Sequence, residues 1–367
     1  MRKKNNGEGR LIDIKICFRT TGNFGGGKFN ETVLAILKEI FCEVELCLFP
    51  LEMSRWRNLR NTLNGYLNGM DEDVAEDVIS KVKTGTYNWV FLASSNFGKL
   101  AMKLKRICPG IKVCVLFNNI EYNFISSQLK TGYQLHLFLT LWVTWLSERR
   151  IVGCADKTIV LNERERRELK RIYGREADTI IPIVLRDECQ GKYSGQGTKD
   201  GTMFKGLFVG SNFYANKHAV EWFAQYVAPF TPHVVYEIVG KGFEAEKHLE
   251  RDNFKIVGTV DDVESYYEKA DFVIAPIFKG AGMKVKVAEA MMYGKTVVGT
   301  KEAFEGYSDV GQYGKICTDA SEFIQAINSM DFVTGYNPVA RQYFLDLYEY
   351  EAVKGKLRNL LYDEERQ

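Results

Sequence analysis

The sequence predicts an α/β protein built from two doubly wound parallel sheets. Three observations carry that prediction. Short apolar runs alternate with longer helical segments along the 367-residue chain, the pattern of parallel α/β folds. The alternation stops once, across Asp187–Lys205, where Gly, Ser, Lys and Asp crowd together and apolar periodicity vanishes, as in a linker. It then restarts, and the length is enough for two separate cores.

The elements follow in order. In the first half the predicted strands are Leu11–Phe18, Glu43–Phe49, Tyr87–Ala93, Ile111–Phe117, Lys157–Leu161 and Thr179–Ile183. Helices fit between them. The clearest helix start is at Asn162, which can cap while Glu165 stands three residues later in a capping-box arrangement. In the second half the strands are Gly206–Val209, Val234–Val239, Lys255–Val257, Phe272–Ala275 and Thr296–Gly299. Pro338–Tyr362 reads as one long amphipathic helix. The predicted division is therefore a domain over 1–186, a linker over 187–205, a domain over 206–337 and a helix in 338–367 that can pack back on the first domain. Two doubly wound domains imply a ligand-binding cleft between them.

Composition narrows the function. Hydrophobic residues make up 46% and charged residues 26%, with a formal net charge of +2, so no overall charge draws the chain to nucleic acid. The opening MRKKNNGEGR leads into LIDIKICF, too short and too charged for a signal peptide. No stretch approaches the roughly 20 apolar residues of a spanning helix, so a cytoplasmic protein is expected. Four of the eight cysteines, Cys17, Cys47, Cys114 and Cys154, lie in hydrophobic segments, and none forms a CxxC pair. They read as small buried hydrophobes, with no structural metal.

The chemistry concentrates in the second half. Gly280-Ala281-Gly282-Met283 follows a predicted strand and opens a helix carrying Lys286 and Glu289. Glycines at a helix N-terminus let backbone N–H groups approach an anion, and the helix dipole favours negative charge there. Lys286 and Glu289 are three residues apart and share a helix face. If the helix starts near Met283, Glu289 lies roughly 9 Å further along the axis, comparable with the span from a diphosphate to its ribose. A carboxylate there can accept from both ribose hydroxyls while Lys286 neutralises phosphate. The plainer alternative is a surface Lys–Glu pair. Gly240 and Gly242 flank Lys241 after another strand and suggest close backbone approach; a solvated turn lysine is the plainer reading of Lys241.

From Gly206 to Tyr307 the chain resembles the donor domain of the large retaining family of GT-B glycosyltransferases, the glycosyl transferases group 1. GLFVGSNFYANKHAVEWF, VGKGFE, VGTVDDVESYYEKADFVIAPI and GAGMKVKVAEAMMYGKTVVGTKEAFEG carry the likeness, in the expected order. VFLASSNFG, LFNNIEYNF and ADKTIVLNERERRELKRIYG are similar to the family's acceptor domain. The resemblance implies a GT-B fold, two Rossmann-like domains facing each other across a cleft. It implies that Gly210 and Ser211 line the loop under the donor, that Lys241 faces phosphate, that Thr259, Val260 and Asp261 run beside the base, and that Glu289 holds the ribose. The family often has a further glutamate eight positions before the second, but here Ala281 occupies that place. A subgroup with a glycine-rich loop and a lysine three before the second glutamate is closer.

The first half is less specific. Arg19–Gly27 follows the first strand, but its GxxGGG lacks dinucleotide-fingerprint spacing. Phe117-Asn118-Asn119-Ile120-Glu121 ends a strand where a cleft is expected; Asn118 stands where relatives often have histidine. Asn119 and Glu121 are catalytic candidates, with Glu121 either orienting an acceptor hydroxyl or capping a loop. Tyr133–Leu146 is apolar nearly all round and precedes Arg149 and Arg150. It reads either as a buried helix or as a surface for membrane or a lipid-linked acceptor.

The expected activity is hexose-type transfer from a nucleoside-diphosphate sugar, UDP favoured, to a glycan, lipid-linked or protein hydroxyl. The resemblance implies retention and a role in polysaccharide or glycoconjugate synthesis. No DxD motif sits on a loop suited to a metal-bound diphosphate, so neither metal nor a resident cofactor is expected. Two rivals stand beside it: a nucleotide-sugar epimerase on the same fold, and a non-catalytic partner subunit.

Overall fold

A computed structural model describes residues 10–17, 25–50, 54–129, 135–189 and 203–362. The chain divides into two compact units. The first comprises Met1–Thr21, Asn30–Pro182 and Lys354–Gln367; the second comprises Gly22–Phe29 and Ile183–Val353.

Each unit holds one six-stranded parallel sheet. The first contains β1 (Arg10–Cys17), β2 (Glu43–Pro50), β3 (Trp89–Leu92), β4 (Lys112–Phe117), β5 (Lys157–Val160) and β6 (Thr179–Ile180), in the spatial order β2-β1-β3-β4-β5-β6. The second contains β7 (Phe204–Val209), β8 (Val234–Val239), β9 (Phe254–Gly258), β10 (Phe272–Ala275), β11 (Val297–Gly299) and β12 (Gly314–Ile316), in the order β12-β11-β10-β7-β8-β9. These are the two Rossmann-like doubly wound sheets that the alternation predicts. Every strand predicted from sequence appears. The one added strand, β12, is a three-residue edge strand, too short for periodicity to reveal.

The strands are apolar because helices cover both faces. All four residues of β3 and of β10 are buried. In the first unit Val90, Leu92, Val113, Val115 and Phe117 pack with Phe97, Leu100, Leu104 and Ile151 from the helices. Each such side chain contributes about 1.5–3 kcal/mol relative to exposure. Cys47 and Cys114 are buried as expected, whereas Cys154 is only half-buried; Cys17 has no described side chain.

Asn162 caps the helix Glu163–Tyr173 by accepting from Glu165 N at 3.0 Å. Three expectations need correction. Asp187–Cys189 is packed rather than linker-like: Asp187 takes a two-pronged ion pair from Arg341, at 2.8 and 2.5 Å, and Cys189 is buried. The sheet also resumes at Phe204, inside the segment read as linker, and 190–202 lie outside the described residues. The long helix is two, Pro338–Leu347 and Tyr350–Tyr362. It breaks because Leu185 donates to Tyr348 O at 2.9 Å and accepts from Tyr350 N at 3.1 Å, taking backbone groups a continuous helix would use. Finally, the apolar segment forms the helix Leu135–Cys154, and it is not buried all round, because Phe138 and Trp142 are exposed.

In the second sheet the strand order reverses between β7 and β10. Ligands of doubly wound sheets bind outside the carboxyl ends of the strands at such a switch point. The residues that follow β7 and β10 are Gly210 and the glycine loop.

Candidate functional site

The loop after β10 is set by its lysine as much as by its glycines. Gly280 (φ +147°) and Gly282 (φ +63°) adopt backbone conformations that favour glycine. Lys284 folds back, donating to Gly282 O at 2.8 Å and pairing with Glu302 at 2.9 Å. Its own backbone is extended, so the helix begins at Val285 and runs to Met292. That start is two residues later than expected. Glu289 therefore lies about 6 Å, not 9 Å, from the first helical residue along the axis, and Lys286 moves into the first turn. No side chain caps this helix at its N-cap position. Tyr307 steadies the start instead: its hydroxyl donates to Lys284 O at 2.9 Å and accepts from Ala288 N at 3.2 Å.

Lys286 is 8% exposed. Its ammonium donates to Asn216 Oδ1 at 2.8 Å and lies 3.8 Å from the Phe208 ring centroid. Among the described residues no carboxylate forms an ion pair with it. Burial, reinforced by neighbouring Lys284, pushes its pKa down to about 7, while Glu289 opposes the shift. Gly210 sits directly against it: a Cβ there would lie 2.7 Å from Asn216 Nδ2 and 3.0 Å from Lys286 Nζ. Asn216 Nδ2 in turn donates to Ser211 O at 2.8 Å, tying the loop after β7 to the lysine. Gly240 packs on Gly210 so tightly that a Cβ would fall 1.9 Å from Gly210 O. The glycine pair around Lys241 thus brings two loop backbones together. Lys241 itself is exposed, and its carbonyl accepts from Asn212 N at 2.8 Å.

Glu289 is 3% exposed. It accepts from Tyr267 OH at 3.3 Å and lies 3.6 Å from Lys28 Nζ, which also pairs with Glu188 at 2.8 Å. Burial raises its pKa, and the charge of Lys28 offsets part of that rise. Tyr267 stacks on Tyr293, ring centroids 4.6 Å apart, which fixes the hydroxyl under the carboxylate. The pair Lys286 and Glu289 is thus buried and mutually unpaired, unlike the surface Lys–Glu pair that was the plainer alternative. Met283 and Gly282 are buried, and Gly280 and Ala281 are half-buried. Val260 is half-buried on the loop after β9, where Thr259 N donates to Glu244 at 2.6 Å.

Residues 204–330 match the family model of glycosyl transferases group 1. That stretch is similar to group 1 glycosyltransferases, and the chain has the GT-B fold. Solved glycosyltransferases share that fold. WaaG, a glycosyltransferase involved in lipopolysaccharide biosynthesis, superposes with a TM-score of 0.69 at 15% identity, covering 96% of this chain and 99% of that one. Anabaena HepE in complex with UDP gives 0.67 at 14% identity, over 97% of this chain and 100% of that one. A glycosyltransferase from Rickettsia africae gives 0.66 at 13%, over 98% and 100%. No curated protein sequence matches the chain.

The first unit holds the other candidates. Asn119 is half-buried between β4 and the helix Glu121–Leu129. Glu121 opens that helix, and burial beside Glu148 and Glu165 pushes its carboxyl up to about 8. Its backbone, not its side chain, is what the neighbours hold: Glu148 accepts from Glu121 N at 2.9 Å and Tyr122 N at 3.2 Å, and Glu165 from Ile120 N at 2.8 Å. Glu148 is fully buried and also accepts from Ser95 Oγ at 2.9 Å and Tyr173 OH at 2.6 Å. Asn118 donates to Ala93 O at 3.2 Å, and its own side-chain carbonyl is buried without a partner. Arg19–Phe24 lie outside the described residues; Gly25–Gly27 open the helix Gly25–Ile40.

Asn216, Tyr267, Lys28, Lys284 and Tyr307 were not singled out from sequence. A polar asparagine on the apolar face of its helix was a usable signal for Asn216. Lys28, one residue past the flagged glycines, had no partner visible along the chain.

Proposed function

We propose that this protein is a glycosyltransferase that moves a hexose-type sugar from UDP to an acceptor hydroxyl with retention, using no metal. The observation that carries the reading is Lys286, a buried cation with no carboxylate counter-ion among the described residues, at the first turn of a helix that no side chain caps. A buried ammonium is costly unless an anion compensates it, and a helix N-terminus adds attraction for phosphate. A donor diphosphate there would supply the missing charge. As the bond from the anomeric carbon to the diphosphate breaks, charge grows on the leaving group, and Lys286 with the helix dipole stabilises it. Glu289, one turn on, would accept from the ribose hydroxyls, with Lys28 and Tyr267 keeping its carboxylate oriented. The UDP and UDP-glucose complexes of HepE favour uridine as the base. Glu121, the partly buried carboxyl in the first unit, is the residue we assign to orienting an acceptor hydroxyl, in the synthesis of a polysaccharide or glycoconjugate at the cytoplasmic side.

The test is UDP release from a panel of UDP-sugars, with and without EDTA, with products resolved by NMR. The reading expects UDP release unchanged by chelation. Loss of turnover restored by manganese would overturn the metal-free part. A new nucleotide sugar formed without acceptor would mean an epimerase, and no donor binding at all would mean a partner subunit.

A further inference from the structure

Two helices of the first unit expose large apolar side chains and turn polar ones inward. The helix Arg55–Leu63 spaces Trp56, Leu59 and Leu63 so that they form one stripe at helical periodicity. They are 82%, 41% and 66% exposed. Its polar residues point the other way: Asn58, Asn61 and Thr62 line a cavity of about 260 Å³ with Thr140 of the helix Leu135–Cys154. That second helix repeats part of the pattern, although Val143 and Ile151 on it are buried in the usual way. Phe138 and Trp142 are 50% and 58% exposed, while Thr144, Ser147 and Glu148 are fully buried. A soluble surface helix does the opposite, and neighbouring exposed aromatic stripes mark something that covers them.

The charge pattern says what covers them. Helix Arg55–Leu63 carries three arginines and no acid. Exposed Arg60 flanks its apolar stripe, while exposed Arg57 is paired with Asp71; Glu72 and Asp73 border the same hollow, and Glu72 is paired with Lys99 and Lys103. On the second helix Arg149 continues the Phe138–Trp142 stripe and stacks on Trp145, 5.2 Å from the ring centroid. Tryptophan rings bordered by arginines suit the headgroup boundary of a bilayer, where the indole is half apolar and the guanidinium meets phosphate. Among the described residues no helix is long and apolar enough to cross a membrane, so the contact is peripheral. We propose that the Trp56–Leu63 and Phe138–Trp142 stripes form one docking surface for a membrane carrying anionic lipid.

Flotation of the full chain with phosphatidylcholine vesicles, with and without phosphatidylglycerol, tests it. Binding should require or strongly favour phosphatidylglycerol and weaken as salt rises. The double variant Trp56→Ser/Trp142→Ser should lose about tenfold or more in partitioning, with its thermal melt and UDP binding unchanged. Absence of flotation on anionic vesicles would overturn the proposal, as would equal flotation by the double variant. Concentration-dependent dimerisation abolished by the same substitutions, without vesicle binding, would assign the surface to a second copy instead.

Discussion

Two helix N-termini stand at strand ends in the two sheets, and they handle charge in opposite ways. In the first unit the helix Glu121–Leu129 starts against two carboxylates supplied by the protein, Glu148 and Glu165, which take the N–H groups of Ile120, Glu121 and Tyr122. In the second, the helix Val285–Met292 has no side-chain cap, and beside it the protein has buried a lysine instead of an acid. One terminus already contains its anion. On the proposed reading, the other receives one from the donor.

The sharpest way to break this comparison is to remove a charge from each side. Glu148→Ala should be the most damaging change, because four donors, one buried and three partly buried, lose their acceptor. An unsatisfied buried donor costs about 1–3 kcal/mol, so the unfolding free energy should fall by about 2 kcal/mol or more, and the urea midpoint with it. Lys286→Met should leave the urea midpoint unchanged or raise it, since it deletes a cation that is buried without a counter-ion. Equal losses in the two variants would mean both charges are structural.

Glu289→Gln comes next. It keeps the shape and removes the charge, and charge-assisted hydrogen bonds contribute roughly 1.5–3 kcal/mol. Calorimetry should show a loss of roughly 10–100-fold for uridine and UDP alike. A loss confined to UDP would place Glu289 at the phosphates.

The second terminus was largely legible in the sequence; the first was not, because Glu148 and Glu165 reach Ile120, Glu121 and Tyr122 from 26 to 45 residues along the chain. Strands buried on both faces announce themselves as apolar runs, and Asn162 advertises a helix start through its own side chain. The glycine loop with Lys286 and Glu289 was legible because its parts are close along the chain. Its true helix start was not, because the fold of Lys284 onto Gly282 O and Glu302 is a tertiary event. Nor could periodicity show that Leu185 would interrupt the last helix, or that Lys28 and Tyr267 would converge on Glu289 from far along the chain.

A smaller effect concerns pH. Lys286, lowered to about 7 in the free protein, must be an ammonium when a diphosphate binds. Below pH 7 it is already charged and affinity should be flat on its account. Above pH 7 binding must take up a proton, and affinity should fall toward about tenfold per unit. Stability of the free protein carries the opposite sign. The unfolded chain keeps this proton up to the ordinary lysine range, so the Lys286 contribution makes stability rise with pH above about 7. Proton uptake measured in buffers of different ionisation enthalpy checks the first, and denaturation of parent against Lys286→Met across that window checks the second.

The most direct measurement is calorimetry of uridine and UDP binding to the parent and to Lys286→Met. If the lysine is the buried charge that the diphosphate completes, UDP affinity should fall by about tenfold or more while uridine binds both proteins alike. If UDP binds Lys286→Met as tightly as the parent, the second terminus is not an anion site and the account fails.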